Sequence, residues 1–247
     1  MKRIKSIKNI ILLGYLIIGF TSCDFLDRSD PDKLNKNDFY KTENDMYQAL
    51  NAAYDGLKTN YYNNMYYWTE IRSDNTTLAS KTANSGIYND FDVYNLTSSN
   101  AEVQRAWYGM FTCVHRSNVV LDYIDNVPMD DEKKSQYKAE ARFLRALSYY
   151  NLSQLFGDVP IVDKQLNSEA EVLKYGRRPI AEVYDFIVKD LKFVTQSQLP
   201  DNWGFDGSNP NFGRASKTAG YAFRRHTDSR PSYFGALAFS SGRASRP

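Results

Sequence analysis

The chain has 247 residues, 42% of them hydrophobic and 24% charged, a balance that excludes a disordered chain and is enough for one or two domains with a packed core. The net charge of +2 is unevenly spread: residues 1–22 carry Lys2, Arg3, Lys5 and Lys8 and no acid, residues 221–247 carry five Arg and one Asp, and residues 23–220 carry 22 basic and 28 acidic residues, a net −6. A body of that sign repels a phosphate backbone and argues against nucleic acid as a partner, while two cysteines and two histidines argue against a zinc site or a disulfide framework.

The N-terminus sets a basic stretch before an apolar run from Ile10 to Phe20. A membrane-spanning helix needs about 20 apolar residues, so this shorter run suits the hydrophobic region of a signal peptide. Thr21 and Ser22 then lead into Cys23. The arrangement resembles the bacterial lipobox, with Phe20 where Leu is commoner. The resemblance implies that residues 1–22 are removed, that the Cys23 thiol is lipidated, and that the acyl chains anchor the protein. Residues 23–42 then form an acidic tether. Asp24, Asp27, Asp30 and Asp32 resemble the surface-export signal of Bacteroidetes lipoproteins, and Leu34 stands where a calcium loop starting at Asp30 would need an oxygen ligand.

Four segments carry helical periodicity. The first, Glu43–Leu57, aligns Met46, Leu50, Ala53 and Leu57, with Thr42 and Asp45 as a capping box. The second, Asn100–Ile124, aligns Val103, Trp107, Met110, Val114, Leu121 and Ile124, with Ser99 and Glu102 as its box. The third, Asp131–Phe156, has a stripe through Tyr137, Ala141, Leu144 and Leu152, widened by Phe143, Leu147 and Tyr150. A helix apolar that far round packs on two sides. Gly157 suits its C-terminal cap, and Pro160 stops it resuming. The fourth, Pro179–Thr195, aligns Val183, Tyr184, Ile187, Leu191 and Val194, with Pro179 in its first turn. A fifth starts near Ala215. Residues 221–247 have no Lys, Asn, Ile or Val and no period, and are expected to be a non-native or disordered tail, as an out-of-frame reading would produce.

The connection between the first two helices, residues 58–98, is long and rich in Asn, Thr, Ser and Tyr. A connection of that length in a compact domain is functional or disordered, and its aromatics argue against disorder. Within YYNNMYYW, residues 61–68, the rings suit stacking on sugar faces, with Asn and Asp for hydroxyls. The alternative has Tyr66, Tyr67 and Trp68 packing onto the first helix pair, and that reading is preferred for Trp68.

Catalysis finds no support. No pair of carboxylates sits in a recognisable glycosidase motif. Cys113 and His115 point about 200° apart on a helix and read as packing residues. GRASKT lacks the glycines of a phosphate loop. Glu140, Arg142 and Arg145 read as ion pairs and loop clamps between helices, and Asp158 reads as turn chemistry. No cofactor or metal is expected.

Three strings resemble one family: AEARFLRALSYYNLSQLFGDVPIV at 139–162, RRPIAEVYDFIVKDL at 177–191 and GRASKTAGYA at 213–222. Together with the lipobox they resemble the SusD/RagB family of outer-membrane nutrient-binding lipoproteins. The resemblance implies an all-α fold of tetratricopeptide-like helix pairs with a long irregular insertion, here an incomplete repeat domain over residues 43–220. Family members are longer, Gly220 stands where alanine is usual, and later repeats and part of the binding face are expected to be missing. It also implies a cell-surface, non-catalytic protein that binds an oligosaccharide and delivers it to a TonB-dependent barrel of the SusC type. A RagB-like peptide binder and a scaffold without a small ligand are the alternatives. Family ligand contacts come partly from the insertion, which makes Asp74 and Asn75 the polar candidates and Tyr88 and Tyr94 the aromatic ones.

Overall fold

A computed structural model describes residues 39–63, 65–79, 86–204 and 207–229. The chain divides into two units, Met1–Phe39 and Tyr40–Pro247, and every element below belongs to the second. Cys23 and its tether lie outside the described residues, as do residues 230–247 of the C-terminal tail.

The first helix, α1, spans Glu43–Asn63. Its start is the expected reciprocal box: Asp45 N donates to Thr42 Oγ1 at 3.2 Å, and Thr42 N donates to Asp45 Oδ2 at 2.9 Å. The helix outruns the expected end at Leu57 because a tertiary contact extends it: Asn151 Nδ2 donates to Tyr61 Oη at 2.8 Å. Met46, Leu50 and Ala53 are fully buried. Gly56 lets α1 lie against the next long helix, since a Cβ there would meet Cys113 Cα at 2.9 Å.

A π-turn at Tyr67–Ile71 and a short helix α2, Gly86–Asp92, occupy the long connection. Helix α3 spans Ala101–Tyr123 and tightens into a 3₁₀ turn at Ile124–Asn126. Its cap is Asn100 rather than the expected Ser99. Asn100 Oδ1 accepts from Glu102 N at 2.9 Å and Val103 N at 3.4 Å, and its Nδ2 reaches Ile87 O and Asp90 Oδ2. One side chain thus caps α3 and holds α2, which Ser99 is too short to do. Glu102 pairs with Arg105 at 2.7 Å.

Helix α4 spans Asp131–Phe156, as its stripe predicts, and ends at Gly157 with φ 69°. A one-turn helix α5, Glu169–Val172, lies within the connection to α6, Ile180–Gln196. Pro179 is the N-cap of α6 rather than part of its first turn, and Asp158 Oδ1 accepts from Ile180 N at 2.8 Å. Helix α7, Lys217–Asp228, starts on Ser216, whose hydroxyl accepts from Ala219 N. It runs eight residues into the segment set apart by composition, and Phe223 meets Phe143 and Tyr150 edge-on. There, a Cβ on Gly220 would sit 2.6 Å from Val194 Cγ1, so the glycine brings α7 close to α6.

The long helices pack in chain order, α1 on α3, α3 on α4, α4 on α6 and α6 on α7. That succession makes the all-α, tetratricopeptide-like array, in which each helix buries its stripe against a neighbour. Among the described residues the sheet-like pairing is a single antiparallel bridge, Val159 with Arg178.

The middle helix is tied by buried charge. Arg145 donates from Nε to Asp190 Oδ2 on α6 at 2.8 Å and from Nη1 to Asn118 Oδ1 on α3 at 2.7 Å, and it also reaches Asp163 O. Arg142 joins it on Asp190, which is fully buried. Glu140 accepts from Tyr54 Oη at 2.5 Å and Arg214 Nε at 2.8 Å, clamping the loop before α7 onto α1 and α4. These are the ion pairs and loop clamps the sequence leads one to expect. Burial pushes the Glu140 carboxyl upward, with Arg214 and Tyr54 pulling against it.

Candidate functional site

The insertion between α1 and α3 is pinned at its base by apolar side chains. Trp68 and Ile71 of the π-turn and Phe91 of α2 are buried. The Trp68 ring meets Phe91 edge-on at 5.0 Å and Phe156 of α4 at 5.9 Å. Trp68 is therefore a core residue, as preferred from the sequence. Tyr66 does not pack inward: it is exposed and touches Tyr67 edge-on at 5.8 Å.

Above that base, Tyr67 and Tyr88 stack with centroids 4.3 Å apart and planes 14° apart. Desolvation raises the Tyr67 phenol, and the hydrogen bond with Tyr88 adds to it. The loop after the π-turn is drawn back onto it: Ser73 Oγ donates to Glu70 O at 2.6 Å, and Thr76 Oγ1 bonds the same carbonyl. Thr77 Oγ1 donates to Asp92 Oδ2 at 3.0 Å, tying this loop to α2.

Tyr94 is held at both its backbone and its side chain. Its φ is 56°, left-handed and unusual for an aromatic residue. Its hydroxyl donates to Arg72 O at 2.6 Å and lies 3.3 Å from Asp74 Oδ1. The residue is nevertheless 60% exposed. Desolvation and the Asp74 carboxylate both raise its phenol, so at neutral pH it is an uncharged donor on a ring fixed at its tip.

The structure thus brings Asp74 and Tyr94 into contact and places Tyr88 in a separate stack on Tyr67. Asn75 is exposed on the same loop, its backbone N–H donating to Ser73 Oγ at 3.3 Å. The Asp74 carboxylate at the Tyr94 hydroxyl is the charge placed at this ring; over the whole insertion, residues 58–98, Glu70, Asp74, Asp90 and Asp92 stand against Lys58, Arg72 and Lys81. Among the described residues no group of three or more His, Cys, Asp or Glu is placed to hold a metal. The arrangement offers flat rings and hydrogen-bonding edges, which is binding chemistry.

A second surface escaped the sequence reading. Trp107, Tyr108, Phe111, Leu166, Val172 and Tyr175 line a groove of about 310 Å³ between α3 and the α4–α6 connection. Trp107, on the expected apolar stripe of α3, packs against the core and also lines this groove. Tyr108 lies off every stripe, and an aromatic residue on a polar helix face was the one available signal.

Over residues 24–226 the sequence matches a SusD-like family model described as starch-binding and associating with the outer membrane. It is 28% identical over 194 residues to a SusD-like protein of Formosa agariphila, a match covering 78% of this chain and 37% of that protein. A Bacteroides ovatus SusD-like protein is 25% identical over 196 residues, 76% of this chain and 34% of that one. Among solved structures, a laminarin-binding SusD-like protein superposes with a TM-score of 0.67 at 25% identity, covering 76% of this chain and 40% of the other. A SusD-like protein of Bacteroides fragilis gives 0.66 at 25% identity, with 78% and 36% covered. The chain spans little more than a third of the length of these curated relatives.

Proposed function

The chain belongs to the SusD-like family, and we propose that it binds neutral oligosaccharides without cleaving them, as a lipid-anchored protein of the outer membrane that passes them to a TonB-dependent barrel of the SusC type. The observation that carries the reading is Tyr94, an exposed ring locked at its hydroxyl to Arg72 O and Asp74 and standing on the same insertion as the Tyr67–Tyr88 stack. A ring immobilised before the ligand arrives loses little entropy on binding. Asp74 beside the ring and the net −6 of residues 23–220 favour uncharged sugars over sulfated or phosphorylated ones. Asp74 and Asn75 supply acceptors and donors for hydroxyls.

Each ring stacked on a sugar contributes on the order of 1 kcal/mol, so a few such contacts give dissociation constants from micromolar to millimolar. Calorimetry with neutral and sulfated glucan oligosaccharides tests this. A neutral oligosaccharide binds, its sulfated counterpart binds more weakly, and Tyr94→Ala weakens binding about fivefold. Binding unchanged by both Tyr94→Ala and Tyr88→Ala places the ligand elsewhere.

A further inference from the structure

The groove beside α3 adjoins two further depressions. It shares Trp107 and Tyr108 with one, which adds Gln104, Phe156 and Arg177. It shares Tyr175 with the other, which adds Lys174, Arg178 and Lys189. The groove floor is aliphatic as well as aromatic, with Pro160, Val162, Leu166 and Val172. Tyr108 is 67% exposed and Val172 52%, and Leu173 beside Val172 is 78% exposed. An apolar strip of this kind on a soluble surface marks an interaction site.

Charge marks the two adjoining depressions. Lys174, Arg177, Arg178 and Lys189 line them against Asp163 and Glu182, and Glu182 is paired with Arg178 at 2.5 Å. With Arg178 engaged by Glu182, one neighbouring depression keeps Arg177 and the other Lys174 and Lys189 against Asp163, a small net positive charge beside each edge of the apolar floor. An oligosaccharide laid here would set its hydroxyls against Val, Leu and Pro side chains that offer no hydrogen bonds, a cost in each case. An extended polypeptide matches better. Its apolar side chains reach the floor, and acidic side chains flanking them meet the cations at the edges.

We infer that these adjoining depressions are a docking groove for an extended acidic segment of a partner protein that carries aromatic or branched apolar side chains. The groove is independent of the glycan reading, since none of Asp74, Asn75, Tyr88 or Tyr94 lines it.

The test is fluorescence polarisation of the purified chain with a short labelled peptide alternating Asp with Leu and Phe, beside its counterpart with Lys in place of Asp. The acidic peptide binds and the basic one does not. Tyr108→Ala combined with Val172→Asp weakens binding on the order of tenfold or more, as loss of an apolar anchor does. Raising the salt weakens it several-fold. Tyr94→Ala leaves it unchanged. Both groove positions are exposed, so circular dichroism of the double variant matches the parent. Equal binding of the two peptides, or no binding of the acidic one, overturns the inference. So does displacement of the peptide by laminarihexaose, which would make the groove a sugar site. A dimer in sedimentation that Val172→Asp dissociates overturns it as well, by making a second copy the occupant.

Discussion

A left-handed backbone at a side-chain-bearing residue costs roughly 1–3 kcal/mol and persists where its surroundings hold it. At Tyr94 the hold is visible in the bonds from its hydroxyl to Arg72 O and Asp74. If the strain serves to present the ring, stability and binding respond differently to substitution. Tyr94→Gly relieves the backbone while losing the hydroxyl bonds, so the melting temperature moves little while oligosaccharide affinity falls several-fold. Tyr94→Phe keeps the ring but frees its tip, and affinity falls less than in Tyr94→Ala. A large drop in melting temperature for Tyr94→Gly would assign the residue to structure instead. Cys113 is the opposite case. It is fully buried, its thiol contacts the Ala53 carbonyl, and burial pushes its pKa up to about 11. The thiolate is the reactive form, so Cys113 stays unmodified by maleimide at pH 8 until denaturant unfolds the chain, as followed by mass spectrometry of its peptide.

At the scale of elements, two kinds of contact fix how the helices meet. The Arg145–Asp190 pair bridges α4 and α6 with both side chains nearly inaccessible. Removing one partner strands the other charge, so Asp190→Ala costs about 3–5 kcal/mol. The exposed Arg178–Glu182 pair contributes less than about 1 kcal/mol, and Glu182→Gln is close to neutral. Gly56 fixes the approach of α1 to α3: Gly56→Ala forces a methyl against the Cys113 backbone and costs about 1–3 kcal/mol, whereas Gly176→Ala meets open space. Denaturant melts that fail to separate the members of either comparison would contradict these assignments. The same distinction explains what was legible in the sequence. Helices α3, α4 and α6 were readable because each repeats an apolar stripe at the helical period. The last turns of α1, the choice of Asn100 over Ser99 and the one-turn α5 were not, because partners distant in sequence decide the first two and four residues are too few to show a period. In the insertion, composition pointed to rings and carboxylates. The pairing of Tyr94 with Asp74 across 20 residues, and of Tyr88 with Tyr67 across 21, required the fold.

For the whole molecule, membrane attachment is a separate matter from the helical array. Among the described residues no helix is long and apolar enough to cross a membrane. The proposed attachment rests on Cys23, which follows the apolar run Ile10–Phe20 and precedes an acidic tether. The energetics set what the anchor must be. Each buried methylene of an acyl chain contributes about 0.8 kcal/mol, and a single chain gives only reversible binding, so stable attachment takes more than one chain on Cys23. Basic residues do not supply the second signal, because Lys2, Arg3, Lys5 and Lys8 lie in the segment expected to be removed and the remaining body is acidic. The anchor is therefore all or none at this residue. Cys23→Ala leaves the protein in the soluble fraction, or unprocessed with its signal peptide attached, while the parent partitions into detergent and with outer membranes. Mass spectrometry of the mature parent shows an N-terminal Cys23 heavier by its acyl chains. A mature N-terminus at any other residue, unmodified, would falsify the lipid anchor and leave the helical array and its two surfaces as they are.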